Sequence, residues 1–218
     1  MKNEVKGFID AVNKTASQVA ELGKDVWDAT RDEGADLPVI RWATTVLHLR
    51  DNYQRAKMRR NVKSLLLALR EGDVERMNEF FQSVDSETDD YFEALVDVLV
   101  ASNTEIPSSV VGNLLSAALS GDIDYFELET LTQIVSSVSV PSLRAVPIYF
   151  EAKEKYIVHK DKVAREQADI NAGFLVSIGL MNMNRMPQLP TELACKLYRY
   201  GFRGEESVVE VLQRPETE

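Results

Sequence analysis

The sequence predicts a mainly α-helical protein, a bundle of amphipathic helices joined by short links. Two observations lead there. Apolar residues recur at helical spacing along most of the 218-residue chain. Capping and breaking residues punctuate that pattern at helix-length intervals. Apolar residues make up 44% and charged residues 28% of the chain, the balance of a folded globular protein rather than a disordered one.

The N-terminal segment carries the clearest period. Val5, Val12, Val19 and Val26 recur every seven residues, with Phe8, Thr15, Leu22 and Ala29 in the complementary position. This is a heptad seam on one helix face. The candidate contact residues are Val5, Phe8, Val12, Val19, Leu22 and Val26. Such a seam can pack on its own protein, on a partner chain or second copy, or on a membrane surface. Glu4, Asp10, Glu21, Asp25 and Asp28 disfavour the membrane.

Gly34 within Arg31 to Asp36 reads as a break, and Asp36 with Pro38 opens the next helix, running toward Arg70. Its second half carries two stripes. Met58, Val62, Leu65 and Leu69 form the apolar one. Arg55, Arg59 and Lys63 form a basic one at i, i+4 spacing, flanked by Lys57 and Arg60. Between Arg41 and Arg70 there are eight Lys/Arg against the single acid Asp51. The chain as a whole has a net charge of −10, so the rest carries −17 once that +7 is set aside. The basic stripe is a candidate partner site. Its counter-charge can come from the protein's own acidic surface, from a protein partner or from nucleic acid.

Further helices follow. One carries Val74, Met77, Phe80 and Phe81, and one begins after Ser86 with Phe92, Leu95 and Leu99. One is opened by Pro107 and closed by Gly121. Another starts at Asp122 or Asp124 with Leu128, Leu131 and Val135. Pro141 begins another, which Pro147 is expected to kink or restart. Glu151 to Ala172 is charged and helical in propensity, with a solvated face expected. Asn182 to Pro190 is turn-like. Thr191 caps a last helix with Leu193, Ala194, Leu197 and Tyr198, which Gly201 and Gly204 break, and the tail from Gln213 is expected to fray. The organisation read from this is residues 1–35 as an N-terminal amphipathic helix, 36–140 as a helical bundle and 141–218 as a C-terminal helical unit.

Two resemblances bear on that C-terminal unit. The order Phe174-Leu-Val-Ser-Ile-Gly-Leu-Met181, a short turn, then Pro190-Thr-Glu-Leu-Ala-Cys-Lys-Leu197 resembles the back end of a winged-helix domain over about 40 residues. The resemblance implies a short β-hairpin between the two helices. In winged-helix DNA binders the helix before the hairpin enters the major groove. Here Glu166 to Ile178 holds Glu166 and Asp169 and no Lys/Arg. The resemblance therefore implies a degenerate winged helix used for protein contact. More diffusely, Leu37-Pro-Val-Ile-Arg-Trp42, Leu49-Arg-Asp51 and Leu114 to Leu131 resemble small helical proteins of bacteria and phages. That implies a prokaryotic or phage origin and no activity.

Catalytic arrangements are mostly absent. No GxxxxGK, GxGxxG or HExxH occurs, so no nucleotide cofactor or catalytic metal is expected. His48 and His159 are the only histidines and read as boundary and solvated residues. Cys195 is the only cysteine, which excludes an internal disulfide and a cysteine-rich zinc site, and reads as a small buried thiol. Asp122 and Asp124 lack the glycine and glutamate of a calcium loop and read as helix caps. One nuclease-like pattern exists. Val146-Pro-Ile-Tyr-Phe-Glu151-Ala-Lys153 places Glu-x-Lys after an apolar run, with Asp124 as the only candidate partner acid. The longest apolar stretch, Leu37 to Leu49, spans about 13 residues against the roughly 20 of a membrane span, so insertion is not expected. With no leader visible, the expected home is the cytoplasm.

The functional expectation is a non-enzymatic regulator acting through protein contacts or self-association, in a bacterium–phage setting. The alternative is a nucleic-acid-binding regulator using the basic helix. A metal-dependent nuclease stands third.

Overall fold

The structure, a computed structural model, describes residues 52–70, 73, 76, 80, 88–182 and 189–213. The N-terminal seam, the break near Gly34, His48 and the Ser86 cap lie outside them. Among the described residues the protein is mainly helical, with one small two-stranded antiparallel sheet near its C-terminus. The chain divides into two compact units between Ser136 and Ser137.

In the first unit the described helices are α1 (Asn52–Ala68), α2 (Thr88–Ala101), α3 (Ile106–Leu119) and α4 (Tyr125–Ser137). α3 forms its centre. It opens on Pro107, whose missing N–H costs nothing in a first turn, and Val110, Val111, Leu114, Leu115, Ala117 and Ala118 are all buried. The helix ends in a Schellman motif: Gly121, at φ 80, donates its N–H to Ala118 O (3.0 Å) and Asp122 donates to Ala117 O (2.9 Å). A reciprocal capping box then starts α4. Asp124 Oδ1 accepts from the Glu127 N–H (2.8 Å), and Glu127 Oε2 accepts from the Asp124 N–H (3.2 Å). α1 lies against α3 at Gly112, where a Cβ would come within 2.8 Å of Ala68 Cβ and closer still to the Leu65 carbonyl. The absent side chain sets that close approach.

The second unit holds α5 (Val140–His159), α6 (Lys162–Ser177), β1 (Met181–Asn182), β2 (Leu189–Pro190), α7 (Glu192–Lys196), a π-helical turn (Leu197–Gly201) and α8 (Glu206–Gln213). α5 and α6 form a helical hairpin linked by Lys160 and Asp161 alone. Asp161 caps α6, its Oδ1 accepting from the N–H groups of Val163 (2.9 Å) and Ala164 (3.3 Å). The buried residues of α6 are Ala164, Ala168 and Leu175. A second Schellman motif ends it: Gly179, at φ 74, donates to Val176 O, and Leu180 donates to Leu175 O with both leucines buried. Leu180 leads into the sheet, in which Met181 pairs Pro190 and Asn182 pairs Leu189. Thr191 caps α7 through Oγ1, which accepts from the Ala194 N–H (3.2 Å).

Two sequence expectations change here. Pro147 sits inside α5 without interrupting it, within a turn otherwise held by the buried Leu143, Ala145, Val146, Tyr149 and Phe150. Burial of that apolar face outweighs the one lost hydrogen bond. And the helix capped by Thr191 is not the last: beyond Gly204 the chain forms α8, with Val208, Val209 and Leu212 buried. Between them, Gly204 packs flat against Tyr198, whose ring atom Cδ1 would lie 2.6 Å from an added Cβ.

Candidate functional site

The basic stripe of α1 is built around a buried polar residue that sequence reasoning missed. Asn61 is fully buried, and its Nδ2 donates to Leu99 O (2.9 Å) and Ser102 O (2.8 Å) at the C-terminal end of α2. Its Oδ1 accepts from Nε and Nη2 of Arg60, both at 3.3 Å. Lys57 Nζ donates to Ala101 O (2.9 Å), and Ser64 Oγ donates to Glu105 O (3.2 Å). One face of α1 therefore satisfies the open carbonyls that end α2 and places two cations at the negative end of that helix. Arg60 also reaches Glu105, 4.0 Å away across partly exposed ground. Of the five basic residues singled out, Lys57 and Arg60 are engaged inside the unit. Lys63 is exposed with no ion pair among the described residues. The side chains of Arg55 and Arg59 lie outside the described residues, as do all six seam residues.

The second unit presents a different surface on α6. Val163 is 73%, Ile170 68% and Phe174 41% exposed. Spacings of seven and four residues set them in one line along the helix, while Ala164, Ala168 and Leu175 line the buried side. At the N-terminal end of that line the hairpin turn is basic. Lys153, Lys160 and Arg165 all lie close to the ring of Tyr156.

The other candidates resolve as follows. Cys195 is buried, its Sγ accepts from Gln213 Nε2 (3.7 Å), and burial pushes its thiol pKa up, away from nucleophilic use. His159 is exposed in the last turn of α5. Val146 to Phe150 is helical, so Glu151 and Lys153 do not follow the strand that the nuclease pattern requires. A cleft of about 410 Å³ between α5 and the segment 198–208 is lined by Glu151, Glu154, Lys155, Tyr198, Phe202 and Arg203 among others. Tyr198 of that lining stacks on the buried Phe150, with ring centroids 4.4 Å apart and planes 5° off parallel. Among the described residues no group of three His, Cys, Asp or Glu comes together as metal ligands, and no helix is long and apolar enough to cross a membrane.

No protein-family model, curated protein or solved structure matches the chain.

Proposed function

We propose that the chain is a non-enzymatic interaction and regulatory protein that works through protein–protein contacts, with the outer face of α6 as a docking surface. The observation that carries this reading is the exposed line Val163, Ile170 and Phe174 on a helix whose opposite side is already buried. Eleven residues of helix make that line about 16 Å long. Exposed apolar side chains aligned in this way are costly in water and are relieved by a partner.

The order of elements supports a degenerate winged helix. α6 precedes a two-stranded hairpin, and α7 follows it. In that architecture the helix before the hairpin is the one offered to a ligand. α6 offers apolar groups together with Glu166 and Asp169, a surface suited to protein rather than to a phosphate-lined groove. The nucleic-acid alternative placed on Arg55 to Lys63 draws less support, because Lys57 is engaged by the end of α2 and Arg60 by Asn61 and Glu105. A bacterial cytoplasm, in a bacterium–phage setting, is what the sequence resemblance and the free, buried Cys195 favour.

The test compares wild type with Ile170→Asp and Phe174→Ser. Light scattering reads self-association, and immobilised chains followed by cross-linking read partner capture. Both variants are expected to keep the wild-type melting temperature and to lose the association that wild type shows. A monomeric wild type that retains the same proteins as both variants would end the proposal.

A further inference from the structure

The turn between α5 and α6 gathers positive charge around one aromatic ring, and ion pairs of the fold answer only part of it. Lys153 Nζ lies 5.4 Å, Lys160 Nζ 5.9 Å and the Arg165 guanidinium carbon 5.4 Å from the centroid of the Tyr156 ring. One aromatic ring compensates only part of the repulsion among three cations. Carboxylates answer one of the three: Asp169 lies 3.8 Å from Arg165. The other acid at the turn, Asp161, turns an oxygen to the backbone N–H groups of Val163 and Ala164. Lys153 and Lys160 have no ion pair among the described residues, and Lys162 beside them is exposed with none either.

Lys160 adds a second, backbone observation. It ends α5 in the left-handed region, at φ 55 and ψ 31, a position where glycine is the ordinary occupant. A long cationic side chain is thus held in a strained conformation and next to like charges. Both features work against stability, and an anion bound among the cations offsets the second.

We infer that the α5–α6 turn is a binding site for a phosphate group, held by Lys153, Lys160 and Arg165 with Tyr156 as the platform that gathers them. Three cations with several N–H donors match the charge and the oxygens of a phosphate better than the two oxygens of one carboxylate. The ligand is either a free phosphorylated small molecule or the backbone of a nucleic-acid strand. The site is separate from the apolar line of α6 and does not depend on it.

The full chain, isotopically labelled, is titrated with inorganic phosphate at constant ionic strength while backbone amide shifts are followed. In parallel, a fluorescent duplex DNA is titrated at two salt concentrations. The expected result is saturable shifts confined to residues 153–165, or duplex binding, weakened roughly tenfold in Lys153→Gln, the size of one lost charge-assisted hydrogen bond. Lys160→Gly should weaken binding by a similar factor while keeping the fold, since glycine suits that backbone. Phosphate saturation without duplex binding identifies a small-molecule source. Duplex binding whose salt dependence flattens in the Lys153→Gln and Lys160→Gly variants identifies a nucleic acid. If neither probe binds, or the variants bind as wild type does, the inference is overturned.

Discussion

Asn61 shows how much one polar side chain can hold. Its amide joins α1 to the end of α2 through two hydrogen bonds, and its carbonyl receives Arg60. In Asn61→Leu the carbonyls of Leu99 and Ser102 lose these donors, that of Leu99 in a buried place. The expected loss is roughly 1–3 kcal/mol, read as a lower urea midpoint at unchanged slope. The sequence did not expose this residue, because a polar side chain between a basic and an apolar stripe looks like a boundary position. Lys160 makes the opposite case. Lys160→Gly removes a left-handed non-glycine residue and is expected to raise stability by about 1 kcal/mol in the same assay. A stabilising change at the cost of phosphate binding would mark Lys160 as a residue kept for a ligand.

At the scale of elements, two glycines of superficially equal standing part company. Both lie inside helices, where alanine is intrinsically better by about 1 kcal/mol. Gly173 has open space where a Cβ would go, so Gly173→Ala should realise that gain. Gly112 faces the Leu65 carbonyl and Ala68 of α1, and backbone cannot step aside as a side chain can. Gly112→Ala should therefore cost roughly 1–3 kcal/mol net through overpacking, and thermal melts of the two variants would move in opposite directions. Such differences explain what was legible beforehand. The helices opened by Pro107 and capped by Asp124 and Thr191, and the glycine stop at Gly121, follow from local chemistry that needs no tertiary knowledge. The outer face of α6 did not follow. Its two stripes, Val163–Ile170–Phe174 and Ala164–Ala168–Leu175, are both apolar at helical spacing, and only packing decides which one meets the core. Tyr156 was missed for a related reason. Its three cations come from two helices, and the turn that unites them is invisible to periodicity.

For the whole molecule, charge and protonation separate cleanly. Residues 137–218 contain eleven Lys/Arg and eleven Asp/Glu, so the net −10 belongs to the first unit. The second unit's basic turn is thus set in an electrically neutral body, where simple salt does little to the fold but competes directly for the turn. Alkali acts on stability in both units, through buried tyrosines. In the first, burial and then Tyr125 raise the pKa of Tyr91 well above the ordinary tyrosine range. In the second, burial first, then Asp169 and Cys195, push Tyr149 up to about 12 from an ordinary 10.0. Each folded unit holds its phenolic proton more tightly than the unfolded chain does. Between pH 10 and 12 the unfolded chain has released that proton while the native one keeps it, so unfolding is favoured as pH rises. The contribution is full below about pH 10 and is lost through about pH 12. For Tyr149 it is on the order of 2–3 kcal/mol. Tyr149→Phe keeps the ring and removes the titration. Its urea midpoint is expected to match wild type near neutral pH and to exceed it increasingly above pH 10. Parallel curves for the two proteins across that range would show that the Tyr149 hydroxyl is not held away from water as the fold requires.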